Sequence, residues 1–175
     1  MPPRQQFLAQ LNKETRMKTY IIAIFTAALL GVAGPASAHE SAHPEAPGSP
    51  AGIVDAFAAA LDAGDTAALS ALMAPDIQIA ESGGIERSLE EYRSHHMGAD
   101  IEFSKAVETK VLSRHVFEGE GLATVMTEAV STGTFRGKDV NSRLMETMVL
   151  KQTDGDWKIV HIHWSSAKIS EGDSH

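Results

Sequence analysis

The spacing of apolar residues changes once along the chain, from a helical repeat in the first half to strand-like alternation in the second. Over residues 49–75, apolar side chains recur every three or four positions and predict two helices separated by Gly64-Asp65. A short strand is predicted at Ile77–Glu81, where apolar and polar positions alternate. The capping box Ser88-Leu-Glu-Glu91 then predicts a third helix from Leu89 to about Met97.

After the third helix, long stretches of β-branched and apolar residues are separated by glycine-containing turn signals. Because neighbouring stretches are joined by short turns, they predict a meander of antiparallel strands. Helices segregated to one side of such a sheet make an α+β fold, and we predict N-terminal helices packed on a curved antiparallel sheet with a cavity between them. The four predicted strands cover residues 106–117, 122–134, 140–151 and 157–166.

The last predicted strand, Trp157 to Ser166, carries apolar or aromatic residues on both faces, which is typical of a strand inside a sheet. Its register against the preceding strand depends on the turn at Asp154-Gly155. A two-residue turn places His163 on the same face as Glu146, whereas a three-residue loop places Ile162 and Trp164 there. The residues alone leave both registers open.

The N-terminal region has the three parts of a secretory signal peptide. Met17-Lys18 is followed by an apolar run over residues 20–32 and then by the small-residue site Ala36-Ser37-Ala38. The run is too short to span a bilayer, so we predict no membrane anchor, a true start at Met17, cleavage before His39 and a periplasmic or secreted protein. The predicted organisation is a signal region at 1–38, a disordered leader at 39–49, one folded domain at 50–169 and a tail at 170–175.

Composition and charge exclude several classes of function. The 137 residues from His39 onward carry 22 acidic and 11 Lys or Arg residues, a net charge of −11 with His neutral, and no basic cluster. Nucleic acid and anionic membranes are therefore not expected as partners. The chain has no cysteine, no phosphate-binding loop and no nucleophile elbow, so we expect neither covalent nor nucleotide chemistry and no cofactor.

Three segments resemble the nuclear transport factor 2-like superfamily, the cystatin-like cone, and specifically its SnoaL-like branch. They are Phe57-x3-Leu61-x2-Gly64-Asp65, Leu72-Met73-Ala74-Pro75-Asp76 and Gly155-Asp-Trp-Lys-Ile-Val-His-Ile-His-Trp-Ser166. The last segment is also similar to the end of the association (hub) domain of calcium/calmodulin-dependent protein kinase II. Together the resemblance covers roughly residues 51–169 and implies a cone whose cavity lies between the helices and the sheet.

The resemblance favours the register that turns Ile162 and Trp164 toward the cavity. It matches Tyr92 to a histidine of the hub cavity, and it matches the three cavity arginines of the hub to Glu128, Met148 and Trp164. None of these three residues is basic here, so an anionic ligand of the hub type is not expected. The resulting cavity wall is Leu144, Glu146, Met148, Val160, Ile162 and Trp164, with Glu128 on the neighbouring strand and with Tyr92 and His96 on the third helix.

Two glutamates in otherwise apolar strands are candidates for acid–base chemistry. If Glu128 and Glu146 both face the cavity, burial and the like charge raise the pKa of one of them. The alternative is that they lie at strand ends or on a solvated face. His96, which shares a helical stripe with Tyr92, is either a general base, a group that orients a ligand, or a hydrogen-bonded core residue.

Histidines elsewhere offer a weaker case for metal binding. His161 and His163 share the other face of the sheet, where they form either part of a metal site or part of a dimer interface. His39, as the N-terminus of the cleaved chain, offers an amine and an imidazole to copper. We expect no metal. We also expect a homodimer across the outer face of the sheet, because twofold dimers are the commonest oligomers and the resemblance implies a cone of the kind that dimerises through this face.

The leading functional hypothesis is an exported domain that binds a small apolar molecule in a mainly apolar cavity. The first alternative is an isomerase or lyase of the SnoaL-like type, in which His96 or a cavity carboxylate, Glu146 or Glu128, moves a proton. The second alternative is divalent-metal binding through surface or N-terminal histidines.

Overall fold

The helices begin and end where the sequence supplies capping residues. The computed structural model describes residues 46–170. The Ser49 hydroxyl accepts a hydrogen bond from the Gly52 amide at the start of the first helix, and Gly64 ends that helix in a left-handed conformation with φ of 71°. The Asp65 carboxylate caps the second helix in the same way. The four helices are α1 (Pro50–Ala63), α2 (Thr66–Leu72), α3 (Leu89–His95) and α4 (Met97–Ala106).

The fourth helix was not predicted. Ser88 caps α3 as expected, but α3 ends at His95, and α4 begins directly afterwards. Gly98, which follows the predicted end of the third helix at about Met97, lies inside α4. Helical propensity penalises a single glycine by only about 1 kcal/mol relative to alanine, so packing against α1 and the sheet overrides it.

Six strands form one open sheet in the order β2-β1-β6-β5-β4-β3. The prediction of an antiparallel sheet is wrong at one pair, because β1 runs parallel to β6. The three-residue strand β2 was also not predicted, since its glycine suggested a turn. The strands are β1 (Met73–Glu81), β2 (Gly84–Glu86), β3 (Val107–Gly119), β4 (Leu122–Phe135), β5 (Lys138–Thr153) and β6 (Asp156–Lys168).

The core lies between the sheet and the helices, and it defines an inner and an outer face of the sheet. On the central strands, Val125, Met148 and Ile162 are fully buried and pack with Phe57 of α1. The outer face carries more exposed side chains, among them Met126 and Met145. This arrangement confirms the α+β, cystatin-like class.

Some sequence predictions lie outside the described residues, namely the signal region 1–38, the cleavage before His39, most of the leader 39–49 and most of the tail 170–175. They stay predictions. Within residues 46–170, no helix is both long and apolar enough to cross a membrane.

Candidate functional site

A pocket of about 250 Å³ lies between the edge of the sheet formed by β1 and β2, the junction of α3 and α4, and Trp164 of β6. Its apolar side is formed by Ile79, Ile85 and the indole of Trp164. The polar side chains that line it are Glu81, Glu86, Tyr92, His96 and Asp100. Three carboxyl groups against one imidazole make this pocket unfavourable for an anion.

Tyr92 and Asp100 form a hydrogen-bonded pair in the wall of this pocket. Tyr92 is fully buried, and its hydroxyl donates to Asp100 Oδ2 at 2.8 Å. Burial raises the pKa of Asp100, the hydrogen bond from Tyr92 opposes that rise, and the nearby charge of Glu81 adds to it. Burial also raises the pKa of Tyr92, so the phenol stays a neutral hydrogen-bond donor.

A buried glutamate orients two histidines at the mouth of the pocket. Glu86, on β2, is 7% exposed, and its Oε1 forms a hydrogen bond with His96 Nδ1. Its Oε2 lies 3.4 Å from His95 Nδ1. A carboxylate beside Nδ1 favours the tautomer that is protonated there, which leaves Nε2 of His96 able to accept a proton.

Trp164 connects the pocket with Glu146 behind it. Its indole Nε1 donates to Glu146 Oε2 at 2.9 Å, and its ring packs against Phe57 with centroids 6.3 Å apart. Burial raises the pKa of Glu146, whereas the hydrogen bond from Trp164 and the charge of Arg114 lower it. Glu146 is therefore a carboxyl group held in place on the inner face of the sheet.

Arg114 of β3 supplies the positive charge on this side of the cone. Its Nη1 forms an ion pair with Asp55 of α1 at 2.6 Å, and its Nε donates to Thr127 Oγ1 at 3.3 Å. Thr127 lies directly opposite Glu146 in the sheet. The inner face thus carries a polar chain of residues that links α1 to β5.

The structure brings most of the predicted wall together. Glu146 pairs with Trp164 and Met148 pairs with Ile162 across β5 and β6, which is the register that the resemblance favoured. Tyr92, His96 and Trp164 line the pocket, while Met148 and Ile162 are fully buried in the core beneath it. Leu144 is half-buried and shares the inner face, since it lies opposite Ala129.

The prediction that Glu128 belongs to the cavity wall is wrong. It pairs with Met145 on the outer face, where Arg143 Nη1 donates to it at 2.8 Å, so it does not share a face with Glu146. The inner positions of β4 are instead Val125, Thr127 and Ala129. Both faces of β4 mix apolar and polar residues, and alternation alone therefore could not show which face is buried.

The prediction that Val160 belongs to the cavity wall is also wrong. Leu150 pairs with Ile159 and Val149 pairs with His161, so a bulge in β6 leaves Val160 without a partner in β5. As a result, Ile159 takes the fully buried position, and Val160 is only half-buried.

His161 and His163 lie on the outer face, as predicted. His161 Nδ1 is 2.9 Å from the backbone oxygen of Gln78, and His163 is exposed. Neither belongs to a group of three potential metal ligands among residues 46–170, and His39 lies outside that range. The predicted homodimer surface, formed by Arg143, Met145, Thr147, Val149, His161 and His163, shares this face, and dimerisation stays a prediction.

Glu86, Asp100 and Arg114 were not predicted as site residues. A signal for Asp100 was present, because Tyr92, His96 and Asp100 follow each other at intervals of four residues, the spacing of one helical face. Ending the third helix at Gly98 removed Asp100 from that stripe. Glu86 and Arg114 had no comparable signal, since nothing local predicts that β2 forms or that Arg114 faces inward.

The raised pKa of Asp100 predicts how Asp100→Asn changes the pH dependence of stability. A carboxyl group whose pKa is higher in the folded protein contributes stability below its unfolded pKa, and that contribution is lost as the pH rises through its folded pKa. The stability of the variant relative to wild type is therefore expected to rise as the pH increases from about 4, the pKa of an unfolded Asp, through the raised pKa of Asp100 in the folded protein. Urea unfolding across this range measures it.

Glu90→Gln, on the exposed side of α3, is the control and is expected to show no such trend. A constant difference between Asp100→Asn and wild type at every pH would contradict the assignment of a raised pKa to Asp100.

Comparison with known proteins gives one family and several similar structures. A sequence model described as a SnoaL-like domain matches residues 51–169. A candidate ketosteroid isomerase from Shewanella frigidimarina is 39% identical, with a TM-score of 0.64, and the match covers 66% of this chain and 94% of that protein. No curated protein matches the chain.

Two more distant structures share the fold. The CaMKII hub from S. rosetta is 21% identical with a TM-score of 0.57, over 66% of this chain and 92% of that chain. A candidate dehydratase of the NTF2-like family from Streptomyces avermitilis is 18% identical with a TM-score of 0.56, over 66% and 91% of the two chains.

Proposed function

Because the chain belongs to the SnoaL-like domain family, whose sequence model matches residues 51–169, we propose that it binds a small molecule in the pocket beside Trp164. The observation that carries this proposal is the pocket itself, in which apolar and aromatic side chains meet a few convergent polar groups. Ligand sites are typically built in this way, with apolar area for affinity and sparse polar groups for orientation. The family match also agrees with the resemblance found in the sequence.

The lining supports a particular class of ligand. A volume of about 250 Å³ is below the range of roughly 300–1,000 Å³ for drug-sized ligands, which favours a compact molecule. Trp164 and Ile79 contact its apolar part, and Tyr92, His96 and Asp100 orient a polar group. The carboxylates at Glu81 and Glu86 disfavour an anion, so the ligand is neutral or cationic.

One observation favours a second function, proton transfer of the isomerase or lyase type. His96 is held by the buried Glu86 and faces the same pocket as the Tyr92–Asp100 pair. In this proposal Nε2 of His96 accepts a proton from carbon, and Asp100, in its protonated form, donates a hydrogen bond to a carbonyl oxygen. A carboxylic acid kept neutral by burial is able to act as such a donor.

Glu146 fits this second function less well than His96. Its Oε2 already accepts the indole hydrogen of Trp164, and Glu146 is not among the residues that line the pocket. The similarity to the candidate isomerase from Shewanella frigidimarina, at 39% identity, supports testing for turnover.

Native mass spectrometry of the purified protein identifies the compound that fills the pocket. We expect Trp164→Ala to weaken binding of that compound by at least about tenfold, because it removes the aromatic wall and buried apolar contact of roughly 1.5–3 kcal/mol. His163→Ala, an exposed substitution on the outer face, is expected to bind it as wild type does. Equal affinity in Trp164→Ala and wild type would contradict the proposed pocket.

Turnover of the same compound separates the two functions. Unchanged compound with wild type, His96→Ala and Glu146→Gln supports a binding domain. Conversion by wild type that is lost in His96→Ala, while binding and folding survive, supports the proton-transfer function instead.

We further propose export, from the signal-peptide pattern of residues 1–38, and a homodimer across the outer face. Support for the homodimer comes from exposed apolar side chains beside charged ones on that face, such as Met126 and Met145 beside the Arg143–Glu128 ion pair. Such a mixture suits a self-complementary surface.

A further inference from the structure

One oxygen of a buried carboxylate has no hydrogen-bond partner. The side chain of Glu86 is 9% exposed, and its Oε2 is buried without a hydrogen bond, whereas its Oε1 is held by His96. A buried carboxylate oxygen without a partner is costly, and buried charges are normally paired or bound to metal. His95 Nδ1 lies 3.4 Å from it without a hydrogen bond, so this oxygen still has the capacity to bind a further group.

Two further ligand groups lie near the Glu86 carboxylate and come from α3. Glu91 and His95 lie four residues apart, so they share one face of the helix. One carboxylate oxygen of Glu86, one of Glu91 and one ring nitrogen of His95 lie within 4.8 Å of one another. His95 is exposed and Glu91 is half-buried, so both side chains have room to adjust and solvent can reach the group.

We propose that Glu86, Glu91 and His95 bind a divalent transition-metal ion of the Zn²⁺ class at the rim of the pocket. Zinc binds imidazole nitrogen and carboxylate oxygen at roughly 2.0–2.2 Å, which places tetrahedral ligands about 3.3–3.6 Å apart. The distance of 3.4 Å between His95 Nδ1 and Glu86 Oε2 agrees with that spacing. Two carboxylates also balance the charge of the ion.

Each carboxylate of this metal site is already oriented by a hydrogen bond to one of its oxygens. His96 holds Oε1 of Glu86, and the backbone amide of Arg87 donates to Oε2 of Glu91 at 2.6 Å. Partners of this kind fix the direction of metal ligands and raise affinity. Three protein ligands leave a position for water or for a ligand, as in zinc sites that are not purely structural.

Zinc titration of the full chain, purified without an affinity tag, tests the site. Calorimetry is expected to show one ion per chain, and the midpoint of thermal unfolding is expected to rise with zinc concentration, as for any ligand of the folded state. His95→Ala and Glu91→Gln are each expected to weaken binding by at least about 100-fold, since loss of supporting groups alone costs 10–100-fold.

The chain supplies matched controls. Glu91→Gln keeps a side-chain oxygen that accepts a hydrogen bond from the Arg87 amide. The free energy of unfolding of this variant without zinc, compared with wild type, shows whether that hydrogen bond at the start of α3 survives. Glu90→Gln and His163→Ala, both exposed, are expected to bind zinc as wild type does. Absence of stoichiometric binding, or binding that survives in His95→Ala and Glu91→Gln but is lost in His39→Ala, would overturn the proposal.

Discussion

Phe57→Ala is expected to lower the free energy of unfolding by about 3–5 kcal/mol, the usual cost of removing a large aromatic ring from a core. Phe57 is 1% exposed and packs both against the core cluster and against the ring of Trp164. Its loss leaves a cavity between α1 and the sheet that neighbouring side chains only partly fill. Chemical denaturation of the variant and of wild type under identical conditions gives the difference.

Phe117→Ala provides the matched comparison, because the same ring is removed from a side chain that is 63% exposed. Its expected cost is below about 1 kcal/mol, the range for surface substitutions away from special features. Similar costs for the two variants would show that α1 does not pack on the inner face as described. Loss of the ring contact between Phe57 and Trp164 is also expected to alter the tryptophan fluorescence of Phe57→Ala.

Gly133→Ala is expected to destabilise the protein by about 2–4 kcal/mol. Gly133, on β4, has φ of 154°, and a Cβ there would lie 2.8 Å from the Ala106 carbonyl oxygen and 3.1 Å from the Val107 Cα. Both atoms belong to backbone at the junction of α4 and β3, so the clash is relieved only by moving that junction. Overpacking and backbone strain each cost on the order of 1–3 kcal/mol.

Gly98→Ala is the control, since a Cβ at Gly98 meets nothing within 4 Å and the residue lies in α4. The added methyl group is expected to be neutral or to stabilise the protein by up to about 1 kcal/mol, through the better helix propensity of alanine. Equal stability of the two variants would contradict the close approach of β4 to the α4–β3 junction.

Local chemistry in the sequence predicted the helix starts well. Ser49, Asp65 and Ser88 cap helices, because a short polar side chain before an apolar stripe satisfies amides that the helix leaves unpaired. The face of Trp164 was also predicted correctly, although the residues alone left two registers open and the family resemblance decided between them. The three-residue loop expected with that face is wrong, because Thr153 pairs with Asp156 and the turn consists of Asp154 and Gly155 alone, both with positive φ. The bulge in β6, not the turn, brings Trp164 to the inner face.

The wrong predictions, for the faces of Glu128 and Val160 and for the direction of β1, depend on long-range pairing that a local sequence pattern does not contain. The side chains of Glu128 and Thr127 point to opposite faces, and only the pairing of the whole strand decides which of them is buried. The bulge at Val160 shifts the alternation by one position within β6. The parallel pairing of β1 with β6 joins residues about eighty positions apart, which no local periodicity can encode.

The same parallel pairing sets the order in which the chain can complete its fold during synthesis. On the side of β1 that faces the main sheet, residues Gln78 to Glu81 pair with His161 to Trp164, far along the chain. Until the ribosome has released this segment, the β1–β2 hairpin cannot join the rest of the sheet, and the wall of the pocket that contains Ile79 cannot form. Pairings of such long sequence separation slow folding, because the loop must close before any contact rewards it. We therefore expect a nascent chain that stops before β6 to remain sensitive to protease.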